Sequence, residues 1–191
     1  MNKKVIIIDN YDSFTYNLVH IVEEVLGKKV RVVRNDEFDI KELVAYDYII
    51  LSPGPGVPEE AGLLKEVIKT YGSSKKILGV CLGLQAIAEV YGAQLRNLNE
   101  VQHGQRTIMH LTEIKSPIFE DVPEDFYAGR YHSWVIDKST DTSALEVTSI
   151  GENGEIMAAQ HKSHQVYGVQ FHPESIMTDE GKLMITNFLN I

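Results

Sequence analysis

The chain has one cysteine, Cys81, in the setting Gly79-Val80-Cys81-Leu82-Gly83-Leu84-Gln85. The residues before it are strand-like and those after it helix-like. Cysteine therefore stands at the turn where the G-x-S-x-G hydrolases place serine. A nucleophile on such a turn is held in strained dihedrals and projects out of the sheet. Gly79 and Gly83 suit the crowded positions on either side because they lack Cβ atoms. The helix start favours a thiolate through its dipole and free N–H groups. The Leu82 N–H is then placed to meet a carbonyl oxygen turning negative in a tetrahedral intermediate. A buried structural cysteine at a glycine-rich turn has the same local signature, so the reading depends on finding a base.

Of seven histidines, His172 has the most suggestive surroundings: V-Q-F-H-P-E, at the end of the last apolar strand. In extended chain, residues two apart project together, so His172 and Glu174 share a side. Pro173 between them biases His172 toward the extended region. One ring nitrogen can then face a thiol while the carboxylate holds the other, giving the order Cys, His, Glu. A chance surface turn is the plainer alternative. His20 reads as a helix-surface or satisfied core residue, and His110, His161 and His164 as solvated residues of short strands or a polar loop. A third segment, S-P-G-P-G at 52–56, follows another apolar strand. It either ends that strand as a tight turn or brings the Gly56 N–H to an oxyanion. All three segments fall at the carboxyl ends of strands, where open α/β sheets build their sites.

The elements that must position these groups can be read from periodicity. Near-continuous apolar strands are expected at 4–9, 29–33, 47–51 and 76–80. A helix capped by Asp12 or Ser13 runs to Gly27, and a short helical stretch runs from Asp39 to Val44. Pro58 opens a helix closed by Gly72, and another runs from the cysteine to Tyr91. Four strand–helix alternations define a doubly wound sheet. From Ala93 to Phe171 the pattern changes to short strands, at 107–112, 126–131, 144–150, 156–161 and 166–171. These are expected as antiparallel additions plus one more central strand, followed by a last helix from Glu180 to Leu189. The expectation is an α/β fold forming one domain over 1–191. Its sheet is open, mostly parallel and twisted, flanked by helices, with antiparallel strands added in the C-terminal half.

Composition narrows the function classes. A formal net charge of −9 argues against a nucleic-acid binder, which would need a basic face to meet phosphates. No apolar run approaches the ~18 residues of a membrane span. The opening M-N-K-K-V-I-I-I-D-N reads as a buried strand rather than a signal peptide. One cysteine excludes an intrachain disulfide and a multi-thiolate metal site, and it fits a reducing, cytoplasmic setting.

P-G-P-G, then G-x-C-x-G-x-Q, then H-P-E, in that order over nearly the whole chain, resembles the class I (triad-type) glutamine amidotransferases. D-N-Y-D-S-F-T-Y-N-L at 9–18 and R-Y-H-S-W at 130–134 are similar to glutaminase subunits that serve chorismate-using synthases. Those make anthranilate or 4-amino-4-deoxychorismate, and the two are not separated here because such a glutaminase makes only ammonia. The resemblance implies that Cys81 attacks the side-chain amide of L-glutamine, that His172 acts as general base, taking the thiol proton and later protonating the departing ammonia, and that Glu174 holds His172. It implies oxyanion donors at Gly56 and Leu82. It also implies a glutamine pocket of Gly54, Pro55, Gly56, Gln85, Ser133 and Trp134, with His132 as a neighbour. It further implies a larger chorismate-binding partner, no cofactor on this chain, and Mg2+ only on that partner. Ser13, His103, Gly104 and Gln105 would face the partner. His103-Gly104-Gln105 departs from the family's usual H-G-K, and Arg106 is placed to supply the missing charge. A non-catalytic flavodoxin-like module and a stand-alone γ-glutamyl hydrolase are the competing readings. Partner-enhanced release of ammonia separates them from the amidotransferase.

Overall fold

The computed structural model describes residues 3–191; Met1 and Asn2 lie outside this range. Five strands form the parallel half of a nine-stranded sheet: β1 (Val5–Asp9), β2 (Arg31–Arg34), β3 (Tyr48–Leu51), β4 (Lys76–Val80) and β9 (Val166–Val169). Their order is β2-β1-β3-β4-β9, the doubly wound order in which ligands sit beyond the strand ends. The sheet continues antiparallel through β8 (Ile156–His161), β7 (Leu145–Gly151), β5 (Leu95–Leu111) and β6 (Asp125–Ile136).

The apolar run of β1 shows how the sequence sets the layers. Ile6 and Ile8 point to one face, packing with Leu64 and Val67 of α2 (Leu64–Tyr71) and Leu84 and Ile87 of α3 (Leu82–Val90). Val5 and Ile7 point to the other, with Leu18 and Val22 of α1 (Thr15–Leu26) and Ile185 and Phe188 of α4 (Gly181–Asn190). A strand buried on both faces needs apolar residues at every position. Each such side chain contributes roughly 1.5–3 kcal/mol of burial.

Three expectations change. The helix predicted from Pro58 is split: Pro58–Glu60 form a separate 3-10 turn and α2 starts at Leu64, because the chain turns at Gly62 with φ +53°. Neither Asp12 nor Ser13 is the residue at the helix boundary; Phe14 is. Asp12 instead holds the preceding turn by accepting the Phe14 N–H at 2.7 Å. The antiparallel part is also longer than its sequence suggests. β5 has 17 residues and β6 has 12, and they continue as a two-stranded arm with register shifts near His103. The outer arm, rich in Asn, Gln and Arg, carries no alternating apolar signal.

Gly181 begins α4 directly against the H-P-E segment. A Cβ there would lie 2.0 Å from the Pro173 carbonyl oxygen. Gly181→Ala should therefore push apart the helix start and the loop holding His172 and Glu174. The expected cost is about 1–3 kcal/mol of stability, the usual range for overpacking, read from urea unfolding. An unchanged midpoint would mean that the loop yields freely.

Candidate active site

Cys81 ends β4 and precedes α3 with φ 52° and ψ −102°. A non-glycine residue at positive φ is strained, at a cost of order 1–3 kcal/mol. The surroundings hold it there: its N–H donates to the Val169 carbonyl at 2.8 Å, and its own carbonyl accepts from the Gln85 N–H at 3.1 Å. The turn has no room for side chains on either flank. A Cβ on Gly79 would sit 2.5 Å from the Gly83 carbonyl carbon, and one on Gly83 would sit 2.7 Å from the Leu51 carbonyl oxygen. Cys81 is a buried free thiol. Leu82 is the first residue of α3, so its N–H has no acceptor within the helix.

β9 lies beside β4, pairing Gly168 with Gly79 and Val169 with Val80. It thereby brings the segment after it against the cysteine. His172 Nδ1 lies 2.7 Å from Glu174 Oε1, and both side chains are buried. The backbone fixes the ring's base: the His172 N–H donates to the Gly129 carbonyl at 3.0 Å, and its carbonyl accepts from the Thr178 hydroxyl at 2.6 Å. Tyr131 and Phe14 pack edge-on against the ring, at centroid distances of 4.9 and 5.6 Å. Among the described residues, His172 Nε2 has no hydrogen-bond partner. Burial works to lower the His172 pKa, but the neighbouring Cys81 and the Glu174 carboxylate outweigh it, and the value rises to about 10. The imidazolium is the favoured form.

This shift has a stability consequence. The folded pKa lies above the unfolded value of about 6.5, so the protonated ring stabilises the fold. That contribution is fully present below about pH 6.5 and is lost as pH rises toward 10. Thermal unfolding followed from pH 6.5 to 10 should show a steady loss of Tm, and His172→Gln should flatten it in that window. Equal slopes in the two proteins would refute a charged His172.

His132 behaves oppositely. Burial and the Arg130 charge lower its pKa to about 3, against the support of the Trp134 carbonyl. Its tautomer follows from its neighbours. Arg130 Nε can only donate, and it points at His132 Nε2 at 3.1 Å. His132 Nδ1 must then carry the proton, facing the Trp134 carbonyl at 3.1 Å. That carbonyl also accepts from Gln85 Nε2 at 2.9 Å.

A cleft of about 270 Å3 opens over Cys81. Gly54, Pro55 and Gly56 line one wall, and Gln85, Ser133 and Trp134 also line it. The six expected pocket residues are thus brought together. The Trp134 carbonyl, however, is turned to Gln85 and His132 rather than left for a ligand. Both Gln85 N–H bonds are spent on protein, on Trp134 and on Gln170, so Gln85 Oε1 is the group of this side chain left to accept from a ligand. His103 lines the same cleft, so this residue expected at the partner face belongs also to the mouth of the cleft. Gln105 and Ser13 are exposed and, with Gly104, do not line it. Arg106 is not free to replace a lysine: its Nη2 donates to both carboxylate oxygens of Asp179 at 2.9 and 3.0 Å, with its guanidinium 4.3 Å over the Tyr127 ring. A larger groove, about 1010 Å3 at residues 111–124, contains none of the expected site residues.

Sequence reasoning does not single out Gln170. It is fully buried and its Nε2 lies 3.5 Å from Cys81 Sγ. A signal exists: Gln170 stands two before His172, in a segment whose sequence reads as strand. His161 is half-buried: it stacks on His164 at 4.1 Å and accepts the Ser163 and His164 N–H groups.

The family model described as glutamine amidotransferase class-I matches residues 6–191. The anthranilate synthase component 2 of Lactococcus lactis is 44% identical over 97% of this chain and 93% of its own length. That of Pyropia yezoensis is 45% identical over 97% and 98%. The bifunctional protein TrpGD of Thermotoga maritima is 44% identical over 99% of this chain, which spans 32% of that relative's length. A Thermoplasma acidophilum crystal structure, named for a GMP synthase component, superposes with a TM-score of 0.87 at 26% identity, covering 100% of this chain and 94% of the other. A Thermotoga maritima glutamine amidotransferase shares the fold, with a TM-score of 0.73 at 17% identity over 91% of this chain and 77% of its own. With its cysteine elbow, its H-P-E pair and a family match running from β1 to the last residue, the chain belongs to the class-I glutamine amidotransferases.

Proposed function

We propose that this chain is the glutaminase component of an anthranilate synthase, taking L-glutamine and delivering ammonia to a larger chorismate-binding subunit. The observation that carries the chemistry is the buried His172–Glu174 pair beside Cys81, with a ring nitrogen left unbonded. The relatives named as anthranilate synthase components, matched over nearly their full length, support the choice of partner. A buried free thiol also suits a reducing, cytoplasmic compartment.

In the proposed mechanism, Cys81 as thiolate attacks the side-chain amide carbon of glutamine. The carbonyl oxygen becomes an oxyanion facing the N–H groups of Gly56 and Leu82. His172, already carrying the proton, gives it from Nε2 to the amide nitrogen. The C–N bond breaks, ammonia leaves and a thioester remains on Cys81. His172 then takes a proton from water, whose oxygen attacks the thioester carbon. Collapse releases glutamate and restores the thiolate. Glu174 keeps the charge and orientation of the ring throughout. Gln85 Oε1 accepts from the substrate's ammonium group, and the glycines at 54 and 56 let backbone approach it closely. Every step uses groups of this chain and water.

The purified chain should hydrolyse glutamine slowly by itself. A co-purified chorismate-using synthase chain should speed it severalfold, with anthranilate formed from chorismate and glutamine. Ammonia release is followed by a coupled dehydrogenase assay and anthranilate by fluorescence. Full turnover without a partner would point instead to a stand-alone hydrolase.

A further inference from the structure

Gln170 enters none of the mechanistic steps above, yet its surroundings define its role. It follows β9 immediately, and its main-chain N–H donates to the Met157 carbonyl at 2.7 Å, which fixes the strand. The side chain is fully buried and hydrogen-bonds to Gln85 and to Cys81. The Trp134 carbonyl can only accept, so the group facing it at 2.9 Å must be the Gln85 NH2. The second N–H of that NH2 reaches the Gln170 side chain at 3.2 Å, so the atom receiving it must be Oε1. Gln170 Nε2 is thereby turned to Cys81 Sγ, at 3.5 Å. The chain of polarity starts at a backbone carbonyl and ends at the sulfur, with no step free to invert.

We propose that Gln170 is a positioning residue for the nucleophile: its amide N–H, aimed by Gln85 and the Trp134 carbonyl, holds Cys81 Sγ at the turn and favours its thiolate over its thiol. A thiolate is the better acceptor for an N–H donor, and a hydrogen bond made to the charged form favours that form. The inference rests on reading Cys81 as the nucleophile. It adds a donor to the sulfur's surroundings besides His172. It also gives Gln85 a double task, since the residue that receives the substrate's ammonium also sets the amide that steadies the sulfur.

Cys81 is the only cysteine in the chain, so iodoacetamide alkylation reports on it alone. The rate is measured against pH in the intact protein and in two variants. Gln170→Met keeps the volume and removes the donor. Gln170→Glu keeps an oxygen for Gln85 but presents no N–H, and brings negative charge, to the sulfur. With Gln170→Met the alkylation midpoint should rise by about one unit, making the reaction at pH 7 about 10-fold slower. With Gln170→Glu it should rise further. Basal glutaminase of Gln170→Met should lose kcat in the same proportion with little change in KM, and recover as pH is raised. An unchanged or lowered midpoint in either folded variant, judged by circular dichroism, overturns the proposal. A raised KM with unchanged kcat also overturns it. Glutaminase activity surviving in Cys81→Ser would overturn the nucleophile reading itself, whatever the alkylation profiles show, so the two failures are distinguishable.

Discussion

Cys81→Ser should abolish product formation from glutamine in the reconstituted complex while leaving product formation from ammonium salts. A hydroxyl is far less acidic than a thiol and gains little from a helix start or from a neighbouring imidazolium. Serine also removes the neighbour that does most to raise the His172 pKa, so the imidazolium that serves as the acid is less favoured in the variant. Triad members act as a unit, and losing the nucleophile costs on the order of 10⁶-fold in kcat in a well-studied hydrolase. The fold should persist, since the swap is nearly isosteric and the turn is held by backbone bonds to Val169 and Gln85. Both activities are to be measured on one preparation. Joint loss in an assembled complex would assign Cys81 another role, and persistence of the glutamine reaction would place the nucleophile elsewhere.

The second large effect should come from Glu174→Gln. Oε1 of Glu174 lies 2.7 Å from His172 Nδ1, and the side chain is fully enclosed. The amide keeps the shape but removes the charge that raises the ring's pKa. It can also present its NH2 to Nδ1 and impose the wrong tautomer. Burial, now opposed by Cys81 alone, then pulls the His172 pKa down, so that less of the ring is protonated when it must donate. The expected loss in kcat/KM is about 10³–10⁴-fold. The acid form should also be lost at lower pH than in the unmodified protein. A pH–rate profile that keeps its midpoint while the rate falls would show that Glu174 acts through orientation alone.

The sequence discloses different parts of the molecule unequally. The parallel half is legible because strands buried on both faces leave uninterrupted runs such as V-I-I-I-D, and because the catalytic segments lie at their ends. His172 and Glu174 are legible as neighbours in H-P-E, although a turn closed by the Ser175 N–H on the His172 carbonyl, not extended chain, brings them together. The arm of β5 and β6 is not legible, because solvent meets most of its outer length and alternation fails there. Gln170 escapes notice for another reason. Glutamine in a strand carries no chemical flag, and its value lies in a carbonyl and a second glutamine supplied from distant elements. Arg106 shows the converse. Its charge is plain in the sequence, but its commitment to Asp179 depends on two segments 73 residues apart.

The placement of β9 between β4 and β8 has a kinetic consequence. The cysteine and the glutamine that touches it are 89 positions apart, and neither faces the other until β9 is inserted in the middle of the sheet. Contacts of such long range are made late, because closing a large loop is costly before any pairing rewards it. A half-formed chain can contain the helix-start cysteine without the histidine, the carboxylate or the Val169 carbonyl that holds the elbow. Refolding followed by iodoacetamide trapping should thus pass through a stage with native-like helix and an ordinary thiol. Reactivity and glutamine hydrolysis would arrive together in the final phase.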